Sequence, residues 1–132
     1  MILVDTTVLA DLLFNDGPEH QATWLLQAVD PEWACLGLAI YELGNVALKC
    51  VRFGSLDPTI ASLALKSLDS LLVDVLHTID PEAIFEIAAQ RNLSFYDAAH
   101  VWLAITKNLP LYSRDRKLLS SSQDVARAMP GQ

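Results

Sequence analysis

The 132-residue chain carries 9 Lys+Arg against 16 Asp+Glu, a formal net charge of −7, and 52% of its residues are hydrophobic. This length supports one domain with a core of its own, and a chain this apolar is not disordered. The negative balance argues against a binder that works only by neutralising phosphates. However, residues 1–88 hold 3 basic and 13 acidic side chains while residues 89–132 hold 6 and 3, so a polyanion can approach the C-terminal third.

The chain opens with Ile2-Leu3-Val4, a continuous apolar run that suits a strand buried on both faces. Helical spacing begins at Val8-Leu9-Ala10-Asp11-Leu12-Leu13, and Asn15-Asp16-Gly17-Pro18 interrupts it. His20 to Val29 reads as a second helix and Trp33 to Leu36 as a second strand. A helix follows from Leu38 to Phe53, with Gly54 able to cap its C-terminus. Asp57-Pro58 starts another, its apolar run Ile60 to Leu72 rich in leucine, and Val73 to His77 is a third strand. Asp80-Pro81-Glu82 opens a further helix that Arg91-Asn92 closes. Ser94-Phe95-Tyr96-Asp97 resembles a capping box and starts a helix reaching about Lys107. Leu109 to Ser113 is a brief strand, a helical turn follows Asp115, and Asp124 to Ala128 is a candidate edge strand.

Short apolar strands alternating with helices predict an α/β fold with three α/β/α layers around a mainly parallel sheet. The expected division is a single domain over residues 1–129 and a short tail at 130–132. No segment is long and apolar enough to span a membrane, and Met1 leads into apolar residues without a basic region, so no signal peptide is expected. Cys35 and Cys50 are too few for a disulfide framework or a zinc site, and a reducing, cytoplasmic setting is expected.

In open parallel sheets ligands gather beyond the carboxyl ends of the strands. Asp5 ends the first strand, Glu42 lies early in the helix after the second, Asp97 is in the first turn of a later helix, and Asp115 follows the fourth strand by two residues. Strand-end geometry can bring all four to one rim. Carboxylates in such a cluster repel one another unless protonated or bridged by cations, and an oxygen-only ligand set suits Mg²⁺ or Mn²⁺. One or two such ions activate water and hold a phosphoryl group. Each acid has an ordinary alternative: Asp5 and Asp115 as helix caps, Asp97 as a first-turn acid meeting the helix dipole, and Glu42 as a solvated helix residue with Asn45 and Lys49 on its face.

Four segments carry a resemblance over nearly the whole chain: Ile2-Leu3-Val4-Asp5-Thr6-Thr7-Val8-Leu9, Ala39-Ile40-Tyr41-Glu42-Leu43-Gly44-Asn45-Val46, Leu93-Ser94-Phe95-Tyr96-Asp97-Ala98-Ala99, and Leu109 through Leu119. Their order and contexts are similar to those of the PIN-domain family, and within it the VapC-type toxin ribonucleases. The resemblance implies a PIN-like fold with a five-stranded parallel sheet. It implies that Asp5, Glu42, Asp97 and Asp115 are the acidic quartet that binds one or two Mg²⁺ or Mn²⁺ ions. Thr6, Ser113 and Asn45 would support that site, with Ser113 standing where the family commonly has Thr. The implied activity is endonucleolytic hydrolysis of RNA, leaving a 5′-phosphate and a 3′-hydroxyl. The implied role is the toxin of a type II toxin–antitoxin pair, with a cognate antitoxin as partner and a homodimer as the usual assembly. The competing reading is a catalytically inactive PIN-fold module that only binds protein.

Arg114, Arg116 and Lys117 flank Asp115 and are the candidates for RNA phosphate contacts, against the plainer reading of a solvated loop. His100 reads as a core or interface histidine, and His20 and His77 show no partner pattern. Trp24, Trp33 and Trp102 fall at core-like positions. Tyr41 and Tyr96 each precede an acid, with packing their favoured role. Thr7 stands where a haloacid-dehalogenase-like phosphatase would carry its second Asp, no receiver-type Lys is in place, and no Gly-x-Gly-x-x-Gly follows the first strand.

Overall fold

The computed structural model describes residues 1–15, 17–54 and 56–130. Asp16 of the expected breaker and Gly131-Gln132 of the expected tail lie outside the described residues. The elements run β1 (Ile2–Val4), α1 (Thr6–Phe14), α2 (Pro18–Val29), β2 (Trp33–Leu36), α3 (Gly37–Arg52), α4 (Pro58–Lys66), α5 (Leu68–Leu71), β3 (Leu72–Leu76), α6 (Pro81–Arg91), α7 (Phe95–Lys107), β4 (Leu111–Tyr112), α8 (Arg116–Ser121) and β5 (Ala126–Arg127). The five strands form one sheet in the order β3-β2-β1-β4-β5, and every pairing is parallel.

Strand parity explains how two helical layers are served by one sheet. Ile2 and Val4 face one side with Trp33 and Cys35, against Val8, Leu9 and Leu12 of α1 and Ala39 and Leu43 of α3. Leu3, Ala34 and Leu36 face the other side, against Ile84 of α6 and Ala98, Val101 and Leu103 of α7. A strand three residues long therefore anchors both halves of the core, which is why its sequence is apolar without alternation. The Cys35 thiol is pushed up to about 12, first by burial and then by Asp74, and behaves as a small apolar core group.

The helix starts follow local chemistry. Asp57 accepts from the amides of Thr59 and Ile60, Asp80 from that of Ala83, and each is followed by a proline at the first helical position. Asn92 and Asn108 take the left-handed conformation at the ends of α6 and α7, with φ of 53° each. Three expectations need correction. The apolar run from Ile60 to Leu72 is two helices, because the Ser67 hydroxyl bonds back to the Ala64 carbonyl and only one turn follows before β3. The fourth strand is Leu111–Tyr112, shorter than expected; Pro110, with no N–H to donate, precedes it. Trp24 is 50% exposed on α2, not in the core; its ring meets His20 edge-on and its indole N–H donates to that imidazole.

Candidate active site

β1 lies at the centre of the sheet. The chain builds β2 and β3 on one side of it and β4 and β5 on the other, so the crevice between the carboxyl ends of β1 and β4 is the topological switch point. Asp5 leaves β1 there, and Ser113, Arg114 and Asp115 leave β4 beside it. Asp5 caps α1 through Oδ1, which accepts from the amides of Thr7 at 3.0 Å and Val8 at 3.3 Å. The Thr7 hydroxyl donates to the same oxygen at 2.5 Å, and the Ser113 hydroxyl donates to Oδ2 at 2.5 Å. These two hydroxyls also fasten the loop after β4. Thr7 Oγ1 accepts from the Arg114 amide at 2.9 Å and Ser113 Oγ from the Asp115 amide at 3.0 Å. Asp115 in turn caps α8, accepting from the amides of Lys117 and Leu118.

A second chain of contacts links three helices. The Thr6 hydroxyl of α1 donates to Glu42 Oε1 of α3 at 2.8 Å, and His100 Nε2 of α7 lies 3.5 Å from that same oxygen. Asp97 sits one turn before His100, its amide donating to the Ser94 hydroxyl that caps α7. Burial pushes the Asp97 carboxyl up from its ordinary value, and the charges of Asp115 and then Asp5 push it further, so Asp97 lies in the field of both. Burial raises Asp5 as well, opposed by His100, Ser113 and Thr7. Glu42 is lowered, first by the contact with His100, while burial acts the other way and the Thr6 bond adds to the lowering. Capping and clustering are therefore not alternatives: Asp5 and Asp115 do both.

Among the described residues, no three His, Cys, Asp or Glu side chains converge closely enough to chelate an ion in this side-chain arrangement. Both oxygens of Asp5 are engaged by hydroxyls, and Asp97 meets the charges of Asp115 and Asp5. The donor chemistry nonetheless fits a hard divalent cation. The four acids offer only oxygen donors, and Asp97, raised first by burial and then by the charges of Asp115 and Asp5, is a carboxylate that a cation would relieve.

The sequence-predicted residues fall into four groups. Asp5, Glu42, Asp97 and Asp115 are joined by the bonds and fields above, with Thr6 and Ser113 as supports. Asn45 is not part of that group: it is exposed and lines an apolar cleft with Ile40, Leu48, Leu65 and Leu68. Arg114 needs correction as a phosphate contact. Its guanidinium bonds Asp11 Oδ2 at 3.3 Å and Thr23 Oγ1 at 3.0 Å, and only 12% of its side chain is exposed. Arg116 and Lys117 are exposed in the first turn of α8. Sequence reasoning missed the role of Thr7; His100, read as a core or interface histidine, is buried as expected but also meets Glu42. Thr7 is the second helical residue after an N-cap Asp, within reach of that carboxylate, and His100 lies at i+3 from Asp97 on the same helical face.

A PIN domain family model matches residues 2–121. The chain is 37% identical over 121 residues to exonuclease VapC9 of Pyrobaculum aerophilum, covering 92% of this chain and 85% of that one. Its backbone superposes on the crystal structure of PAE2754 from the same organism with a TM-score of 0.77 at 30% identity, over 96% of this chain and 87% of the other. It superposes on VapC20 of Mycobacterium tuberculosis, described as a sarcin-ricin loop cleaving toxin, with a TM-score of 0.67 at 19% identity, over 92% and 95% of the two chains. The five-stranded parallel sheet and the extent of these matches agree, and the chain belongs to the PIN domain family.

Proposed function

We propose that this chain is a divalent-metal-dependent endoribonuclease and the toxin of a type II toxin–antitoxin pair. The observation that carries the reading is the geometry of the β1/β4 switch point, where the Thr7 and Ser113 hydroxyls hold Asp5 against the loop that carries Asp115. Kinship with a protein named exonuclease VapC9 supports nuclease chemistry, and the fold shared with a toxin described as cleaving the sarcin-ricin loop is consistent with RNA as the substrate.

Asp5, Glu42, Asp97 and Asp115 are the residues that would hold Mg²⁺ or Mn²⁺, as one or two ions. The bound cation would supply water activation and charge stabilisation at the phosphodiester. The chain's own groups prepare for that. Ser113 and Thr7 lock the Asp5 carboxylate from both sides, and Thr6 and His100 orient Glu42. Arg116 and Lys117 offer exposed positive charge beside Asp115 for the phosphates that flank the cleaved bond.

A cognate antitoxin and a second copy of the chain are the proposed partners. α3 and α4 leave Leu48, Phe53, Ile60 and Leu63 exposed, which is consistent with a protein-covered face. A cytoplasmic setting is part of the same proposal; among the described residues, no helix is long and apolar enough to cross a membrane.

The test uses linear RNA and covalently closed circular RNA of one sequence, with Mg²⁺, Mn²⁺ or EDTA. Cation-dependent nicking of the circle is the expected result. Degradation of the linear form alone would favour exonucleolytic action, as the name of the P. aerophilum relative suggests. Binding without cleavage of either form would favour an inactive protein-binding module.

A further inference from the structure

The carboxyl ends of β2 and β3 open into a cavity of about 300 Å³ between the start of α3 and the first turns of α6 and α7. Tyr41, Ile79, Phe95 and Tyr96 stand exposed around it, Tyr41 by 80%. The His77 ring lies directly over Gly37, where an added Cβ would come within 2.5 Å of Nδ1, so only glycine lets the imidazole sit against the start of α3. Among the described residues, no Lys, Arg, Asp or Glu lines the cavity.

The cavity shares the rim of the acid cluster. Leu3 pairs with Ala34 across β1 and β2, and continuing that parallel register sets Asp5 beside Leu36, which lines the cavity. Neighbouring strands of a sheet run about 5 Å apart. Tyr41 and Tyr96 are the immediate neighbours of Glu42 and Asp97.

We propose that this cavity receives one unstacked base of an RNA substrate, that of a nucleotide adjoining the phosphodiester at the acid cluster. The inference rests on the nuclease reading above. Sequence-reading proteins splay single-stranded RNA and stack its bases on aromatic side chains, and such stacking tolerates any base because every base has a π-face. Tyr41, Phe95 and Tyr96 supply those faces, and the His77 imidazole with the tyrosine hydroxyls supplies hydrogen-bonding groups for the base edge. A phosphate would find no cation here and a basic side chain no carboxylate. The volume lies at the low end of the roughly 300–1,000 Å³ of ligand pockets, which fits a single ring system rather than a helix or a cluster of side chains.

The experiment uses the parent protein in EDTA, so that binding is read without cleavage. Short single-stranded RNAs carry one abasic residue, or one 2-aminopurine, walked along the sequence, and affinity is measured by anisotropy over a range of salt. One position is expected at which loss of the base weakens binding about tenfold to a hundredfold and at which 2-aminopurine fluorescence reports a change of stacking. Tyr41→Ala and Phe95→Ala should weaken binding of intact RNA to a similar degree, leave binding of the RNA abasic at that position unchanged, and leave the salt slope unchanged. If RNA is bound and cut but every abasic RNA binds like the intact one, the pocket assignment falls and the nuclease reading stands. If RNA is neither bound nor cut, both fall. If Tyr41→Ala leaves RNA affinity intact and turns a dimer into a monomer by sedimentation, the cavity is occupied by a second copy and the proposal is overturned.

Discussion

Replacing Asp11 with Asn should loosen the acid cluster from behind. Asp11 is 1% exposed in α1, and its Oδ2 accepts from the Arg114 guanidinium and from the Thr23 hydroxyl of α2, while Oδ1 accepts from Asn15 at 3.1 Å. Arg114 lies between Ser113 and Asp115, so this pair ties the loop after β4 to the two helices that follow β1. Removing one partner of a buried ion pair costs about 3–5 kcal/mol. The 3.3 Å separation, the partial exposure of Arg114 and the retained volume of Asn place this case lower, at about 2–3 kcal/mol. For a domain of this size that corresponds to a fall in Tm of about 6–15 °C. A displacement of Asp115 by ~1 Å should lower kcat by up to about 10²-fold with little change in KM. Thermal and urea melts give the stability, and single-turnover cleavage of a defined RNA gives the rate. The double variant Asp11→Leu/Arg114→Met separates the two effects: removing both charges should recover much of the stability, while the loop stays untied and activity stays low. Full kcat together with stability within about 0.5 kcal/mol of the parent for Asp11→Asn, the ordinary range for surface substitutions, would refute the reasoning.

Asp97→Asn should make the cation-free protein at least as stable as the parent at neutral pH, because ionising a carboxyl whose folded-state pKa lies above 3.8 costs stability at every pH above that raised value. The advantage should shrink as pH falls through the raised pKa and vanish below about 4, and the variant should gain less from Mn²⁺ and cleave RNA orders of magnitude more slowly; melts in EDTA and in Mn²⁺ from pH 3 to 8 follow this directly. Joint replacement of Arg116 and Lys117 by Ala should flatten the salt dependence of RNA binding by about two units, one per lost phosphate contact, whereas a slope equal to the parent's would leave both as solvated residues. Ser94→Ala removes the hydroxyl that accepts from the Asp97 amide and should cost about 1 kcal/mol, read from the urea midpoint at constant m.

The fold was legible because its signals are local. Asp-Pro at 57–58 and 80–81 announces two helices through chemistry that needs no tertiary partner, and the unbroken Ile2-Leu3-Val4 announces a strand covered on both faces. The break at Ser67 was not legible, since a hydroxyl turning back on a carbonyl, as Ser67 does on Ala64, is not written in a leucine-rich pattern. The acids could be named from strand ends and from family resemblance, but the fate of Arg114 could not. Next to Asp115 it looks like a phosphate ligand, and only the approach of Asp11 and Thr23, 103 and 91 residues away in sequence, turns it inward. Thr7 escaped for the same reason: its hydroxyl matters because a loop more than a hundred residues later comes to rest on it.

The central place of β1 sets a timetable for the molecule's birth. The first strand to leave the ribosome waits for more than a hundred residues to be closed on its second side, because its neighbour β4 begins at Leu111. The bond from Ser113 to Asp5 spans 108 residues, so the β1/β4 edge of the rim cannot form in a nascent chain that has yet to expose β4. At about 5–20 residues per second, a ribosome spends several seconds making a chain in which Asp5, Glu42 and then Asp97 are present but the cluster is incomplete. Long-range parallel pairing of this kind also closes slowly. On the proposed function, the β1/β4 edge of the site is completed only when synthesis is nearly over, and that interval is time in which the proposed antitoxin can reach the chain first.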